Sequence, residues 1–161
     1  MARIDLSTIG MRLGYAVETE AGTMPSAFTW LKGAKSLPEI NSEPETIEST
    51  TFDALQFRTY IDGLQDTGGA LAIGFNQTED LLQTWDKVYS DYSTAKADNK
   101  STWWVFWHPG LSKSFFFRGN PSQLGWGGAE VNALLETSVY VTPVGDIGWK
   151  KAIEPTESVG E

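Results

Sequence analysis

The segment Thr102-Trp-Trp-Val-Phe-Trp-His108 constrains this chain more than any other. Its consecutive large apolar residues leave no polar face, so a strand built from them has to be covered on both sides. His108-Pro109-Gly110 stops it, because proline cannot continue an interior ladder and glycine permits a turn. Ser114–Arg118, with Phe115, Phe116 and Phe117, is then the expected hairpin partner. Such a hairpin needs a large apolar interior. The 161 residues are 40% hydrophobic with seven Trp, eight Phe and five Tyr, enough for one core in a single domain, 1–161.

Period-two patterns recur on either side of it. Residues 1–27 read as a polar N-terminal arm, but Ile9, Met11, Leu13, Tyr15 and Val17 alternate, which lets part of the arm join a sheet. Ala27–Lys32 is strand-like. From Gly33 through Thr51 the chain is rich in Glu, Ser and Thr and is punctuated by Pro38 and Pro44. So long a weakly structured stretch is expected to be functional or to reach toward a partner. Strand character returns in Phe52–Ile61, and Asp66-Thr67-Gly68-Gly69 suits a hairpin connection into Ala70–Phe75. Gly119–Gly128 reads as a loop. The last long strand is expected over Ala129–Val141. It would place Ala129, Val131, Ala133, Leu135, Val139 and Val141 on a packed face and Glu130, Asn132, Glu136, Ser138 and Thr142 mostly on a wet one. A short Ile147–Trp149 then precedes a charged C-terminal tail, 150–161.

One segment has helical rather than strand periodicity. Asn76 with Glu79 has capping-box spacing, and Glu79 and Asp80 suit the positive end of a helix. Leu81, Leu82, Trp85, Val88 and Tyr89 follow as the expected core face, continued by Tyr92, and Ala95–Ser101 reads as a polar exit loop. Seven or eight strands and one helix, joined mainly by hairpin connections, make an α+β domain that is mainly antiparallel β with the helix on one side.

Catalytic signals are thin. With no cysteine, thiolate catalysis and cysteine-based metal sites are excluded. The single histidine, His108, has no HxH or HExxH partner, so a structural role is expected for it. Asp62 with Asp66, and Glu130 with Glu136, are carboxylate pairs of the kind glycoside hydrolysis needs, and Trp103, Trp107 and Trp126 could stack on sugars. A carbohydrate-binding or hydrolytic β-sandwich is therefore the alternative reading, against the ordinary outcome that strand tryptophans are core. Gly125-Trp126-Gly127-Gly128 lacks the GK[ST] ending of a phosphate loop. No enzyme, cofactor or metal is expected. The net charge of −9, from 21 acidic and 12 basic residues, opposes tight binding to nucleic-acid phosphates. The opening Met1-Ala-Arg-Ile-Asp-Leu-Ser carries no leader-like apolar run and no stretch approaches a membrane span, so no membrane partner and no address label are expected.

Three stretches, taken in order, carry a family resemblance: Phe28-Thr-Trp-Leu-Lys-Gly-Ala-Lys-Ser-Leu-Pro-Glu-Ile, Pro44-Glu-Thr-Ile-Glu-Ser-Thr-Thr-Phe-Asp and Tyr60-Ile-Asp-Gly-Leu-Gln-Asp-Thr-Gly-Gly-Ala-Leu. Over about residues 27–92 the chain resembles the tail tube (major tail) proteins of long-tailed bacteriophages, with a looser fit beyond. The resemblance implies a β-sandwich or barrel-like domain with one flanking helix, assembled as homohexameric rings that stack into the tail tube of the virion, the conduit for DNA ejection. Segment 36–62 would correspond to the family's stacking loop and adjoining strand, with Glu43, Glu45, Glu48, Thr50, Thr51 and Asp53 as inter-ring candidates. The arm and tail would join those contacts. The implied partners are further copies of the chain, the tape measure protein, the tail terminator and tail-tip or baseplate proteins, with DNA in transient, non-specific passage. Assembly would take place in the host cytoplasm. Glu130, Asn132, Glu136 and Ser138, the expected wet strand face, are the lumen candidates, since acidic groups there would repel DNA. The inner tube of a contractile injection machine is a related alternative.

Overall fold

The computed structural model describes residues 6–7, 9–40, 44–65 and 69–155. Among them are nine strands and one helix: β1 Arg12–Val17, β2 Thr29–Leu31, β3 Ala34–Ser36, β4 Pro44–Glu48, β5 Tyr60–Gln65, β6 Leu71–Asn76, α1 Glu79–Ala97, β7 Thr102–Trp107, β8 Lys113–Pro121 and β9 Glu136–Lys151. Seven strands form one sheet in the order β2-β1-β7-β8-β9-β6-β3, and β4 pairs only with β5. All pairings are antiparallel.

The strand order dictates the shape. β2 and β3 are the two edges of the sheet, yet only Lys32 and Gly33 separate them in the chain. Three residue steps span at most about 11 Å. In a flat sheet of seven strands the edges would stand about 29 Å apart. The sheet therefore curls until its edges nearly meet, as a nearly closed barrel. Gly33, at φ +83°, makes the sharp step between the edges in a backbone region that side chains disfavour.

One face of the curled sheet gathers Leu13, Tyr15, Leu31, Leu71, Ile73, Phe75, Trp104, Phe117, Val139 and Val141 into a single cluster, completed by Leu81, Trp85 and Val88 of α1. Trp85 lies 5.8 Å from Trp104, ring centre to ring centre, and its Nε1 donates to Ser122 O at 2.8 Å. The Tyr15 hydroxyl donates to Asp91 Oδ2 at 3.0 Å, which clasps the helix to β1. The opposite face over β1, β7 and β8 is covered as well, by Phe28, Trp30, Trp103, Val105 and Phe116 with Met24 and Ile153 beside them. The Trp-rich strand is thus buried on both sides. Trp30 lies so close over Gly14 that a Cβ there would sit 3.0 Å from Trp30 Cε3 and 2.9 Å from Val105 Cγ1.

Several elements differ from their sequence reading. The alternation within residues 1–27 is β1, an interior strand between β2 and β7 of the chain's own sheet. The helix is capped by Thr78, whose side chain accepts from Leu81 N, while Asn76 ends β6. It also runs through Ala95, which is buried, rather than giving way to a loop. On its core face Leu81, Trp85 and Val88 are buried, but Leu82 is exposed and Tyr89 half-buried, because each stands one residue, about 100° of helix, away from the buried stripe. The expected strand Phe52–Ile61 starts only at Tyr60, and β5 pairs back with β4 rather than on to β6. Asp66, Thr67 and Gly68 lie outside the described residues.

The last strand differs most. Residues 129–135 form no strand, and Val131 is exposed. The strand begins at Glu136 and continues to Lys151, through Pro143 and Gly145. Its register against β8 shifts between Phe116 and Arg118 and again between Arg118 and Gly119. Bulges of this kind let a strand pass a proline, whose missing N–H a regular ladder would require.

Candidate assembly surfaces

The β4–β5 ribbon stands apart from the curled sheet. Thr46, Ile47 and Glu48 oppose Asp62, Ile61 and Tyr60, with a shift between Pro44 and Thr46. Beyond the strands, Ser49 N donates to Thr59 O at 2.8 Å, Thr59 N donates to Thr50 Oγ1 at 2.9 Å, and Ala54 N closes a turn onto Thr51 O. Those side-chain bonds end the ladder early and leave residues 51–58 as its connecting tip. Arg58 Nε lies 3.7 Å from Glu48 Oε1 on the exposed flank.

What the ribbon displays is apolar. Phe52 (108% relative exposure), Leu55 (94%) and Phe57 (79%) project from the tip, and Ile47, Tyr60, Ile61 and Leu64 are exposed along the strands. Isolated apolar side chains are ordinary on a protein surface, but seven on one narrow ribbon, with Ile47 and Ile61 on one face and Tyr60 on the other, call for a cover. The inter-ring candidates fall on this ribbon: Glu45 and Glu48 on β4, and Thr50, Thr51 and Asp53 in the connection, with Glu43 outside the described residues. The acidic and hydroxyl residues singled out in the sequence are thus accompanied by the apolar tip, which their polarity had masked.

A second surface is the outward face of β3, β6 and β9, where Ser36, Ala72, Ser138, Tyr140 and Thr142 are exposed. It borders a groove of about 480 Å³ lined by Lys35, Gly74, Glu136 and the loop Gly125–Gly128, with Trp126 on its rim. Lys35 Nζ and Glu136 Oε1 form an ion pair there. Of the lumen candidates, Glu136 and Ser138 share this face, whereas Glu130 and Asn132 lie in the irregular segment before β9. Asn132 has φ +59°, a turn conformation incompatible with a strand. The four do not line up on one strand.

A third surface is an apolar cavity of about 220 Å³ between Met11, Pro38, Ile40, Phe106, Trp107, Leu111, Phe115 and Trp149, with His108 at its side. His108 itself is engaged on both nitrogens: Nδ1 accepts from Gly110 N at 2.9 Å and Nε2 faces Ser7 O. It fixes the β7–β8 turn to the segment before β1. Glu18 is another internal fastener, its carboxylate accepting from Gly22 N and Ser101 N while its own N–H donates to Ser101 O. Among the described residues no three His, Cys, Asp or Glu side chains are grouped to hold a metal ion, and no helix is long and apolar enough to cross a membrane. Of the tryptophans considered for sugar stacking, Trp103 is buried, Trp107 is half-buried beside the apolar cavity and Trp126 is exposed on the rim of the groove.

No protein-family model matches the chain, and no curated protein matches it. Among solved structures, it is similar to a chain in the cryo-EM structure of the anti-feeding prophage (AFP) baseplate, 6-fold symmetrised. The TM-score is 0.60 at 9% sequence identity, over 94% of this chain and 98% of that one. The likeness is one of fold. It extends over almost the whole of both chains.

Proposed function

We propose that this chain is a non-enzymatic structural subunit of a phage-like particle, and that it self-assembles into stacked hexameric rings forming a tail tube through which DNA leaves. The observation that carries this reading is the β4–β5 ribbon, which pairs with no other strand among the described residues and displays seven large apolar side chains. Burying such a patch against a different surface of an identical neighbour gives a head-to-tail contact, and head-to-tail contacts generate rings and filaments. The fold shared with a chain of a six-fold symmetrised baseplate supports the same reading.

In that arrangement the wet face of β3, β6 and β9 is the surface suited to a water-filled lumen. On that face Lys35 is paired with Glu136, so no excess positive charge is presented to DNA phosphates. Tape measure, terminator and tail-tip proteins are the partners such a tube would take. Negative-stain microscopy of the concentrated protein tests the reading: rings or tubes are expected. A chain that sediments as a monomer at every concentration, with the ribbon protected from proteolysis on its own subunit, refutes it.

A further inference from the structure

The ribbon's apolar tip and the apolar cavity beside His108 are two unsatisfied features of complementary shape on one chain. The cavity holds about 220 Å³ and is walled by Phe106, Phe115, Ile40 and Pro38. A cavity of about 150 Å³ is enough to take benzene, so this one accepts a single phenyl ring with room for its methylene. Met11, Leu111 and Trp149 around it are all exposed, which makes an apolar rim as well as an apolar floor. At the other site, Phe52 is entirely exposed at the end of the ribbon.

The two do not meet within one subunit. Ile40 lines the cavity, and β4 begins at Pro44. From there the ladder from Pro44 to Ser49 carries the tip about 17 Å onward at strand rise, and no ribbon residue lines the cavity. We infer that the cavity receives the β4–β5 tip of a second copy, with Phe52 as the inserted side chain. This rests on the proposed assembly and names the receiving site of its contact. A knob and a socket at different places on the same chain form a head-to-tail contact, so a pair of copies still has one knob and one socket free for further copies. Insertion of Phe52 buries a phenyl ring, and Leu55 and Phe57 cover the rim made by Leu111 and Trp149.

The absence of cysteine from the chain makes the test clean. Asp53→Cys places a thiol beside the retained Phe52, and Ser112→Cys places one beside Leu111, both at exposed positions. Treated with a short bis-maleimide, the double variant is expected to give a ladder of covalent oligomers, while each single variant gives at most a dimer. Adding Phe52→Asp to the double variant abolishes the ladder without changing the circular dichroism spectrum. Rings or tubes under the microscope with no ladder from the double variant overturn the inference and leave the assembly standing, with the cavity serving another chain. Neither rings nor ladder overturns both. A ladder that survives Phe52→Asp also overturns it, since the tip would then touch the rim without its side chain being seated.

Discussion

Replacing Phe52, Leu55 and Phe57 together by serine separates folding from association. In the free subunit the three side chains are almost wholly in water, so removing them takes nothing from the core. Each surface change of this kind stays within about 0.5 kcal/mol, so the three together move the melting temperature of a chain this long by no more than about 6 °C. The effect on assembly is of another order. Burying each large apolar side chain contributes at least about 1.5 kcal/mol, so three contribute about 4–5 kcal/mol to each contact. At about 1.4 kcal/mol per tenfold, the concentration needed for assembly rises about a thousandfold. Sedimentation velocity over a concentration series measures that threshold, and a thermal melt of the dilute protein measures stability. Assembly of the triple variant at the wild-type concentration refutes the reasoning. So does a melting temperature lowered by many degrees, which would mean that the three side chains are packed in the monomer after all.

Trp85→Phe is the converse case, a core change. It removes the hydrogen bond to the Ser122 carbonyl and part of the ring packed on Trp104, and should cost about 2–4 kcal/mol, seen as a melting temperature lower by roughly 5–15 °C. Tyr15 is buried, hydrogen-bonded to Asp91 and close to its charge, and these raise the phenol above its ordinary value in that order of importance. Because the folded state holds that proton more tightly than the unfolded chain does, its contribution to stability is present below the unfolded value and is lost as pH rises through the folded one. Ultraviolet titration should therefore show the Tyr15 phenolate appearing last among the tyrosines, and Tyr15→Phe should cost about 1 kcal/mol. A Cβ on Gly127 would run into the backbone of Glu136, whereas Gly128 has open space around it. Gly127→Ala should cost about 1–3 kcal/mol while Gly128→Ala leaves the melt nearly unchanged; equal melts for the two contradict that packing.

The legible parts of the sequence were those in which local pattern and tertiary role agree. Trp103, Trp104 and Val105 had to be covered on both faces, and they are buried, while Phe106 and Trp107 at the strand's end are half-buried. Leu81, Trp85 and Val88 recur at the spacing of a buried helical stripe, and they meet the sheet. What the sequence hid was pairing. Ala129, Val131 and Ala133 alternate as well as Val139 and Val141 do, but only the latter have β6 beside them, so only they become strand. The strand expected to end at Val141 runs on through Pro143 and Gly145, where β9 shifts register against β8. The edge-to-edge closure through Lys32 and Gly33 has no local signature at all, since it depends on which strands lie between β2 and β3. The assembly surfaces divide in the same way. The stretch from Gly33 through Thr51 stood out by its composition, whereas the apolar cavity gathers residues from positions 11 to 149 and could be seen only once they were folded together.

β9 has a property that its length alone does not convey. Its first residues, Glu136 to Val141, pair with β6, and its remainder pairs with β8; Val141 is the handover point, opposite both Leu71 and Pro121. The two halves of the barrel thus share one continuous backbone, and neither can fray without dragging at the other's amides. Deuterium should enter Ile73 on β6 and Phe116 on β8 at a common, slow rate set by opening of the whole body, while the amides of β4 and β5, which answer only to each other, exchange far ahead of both.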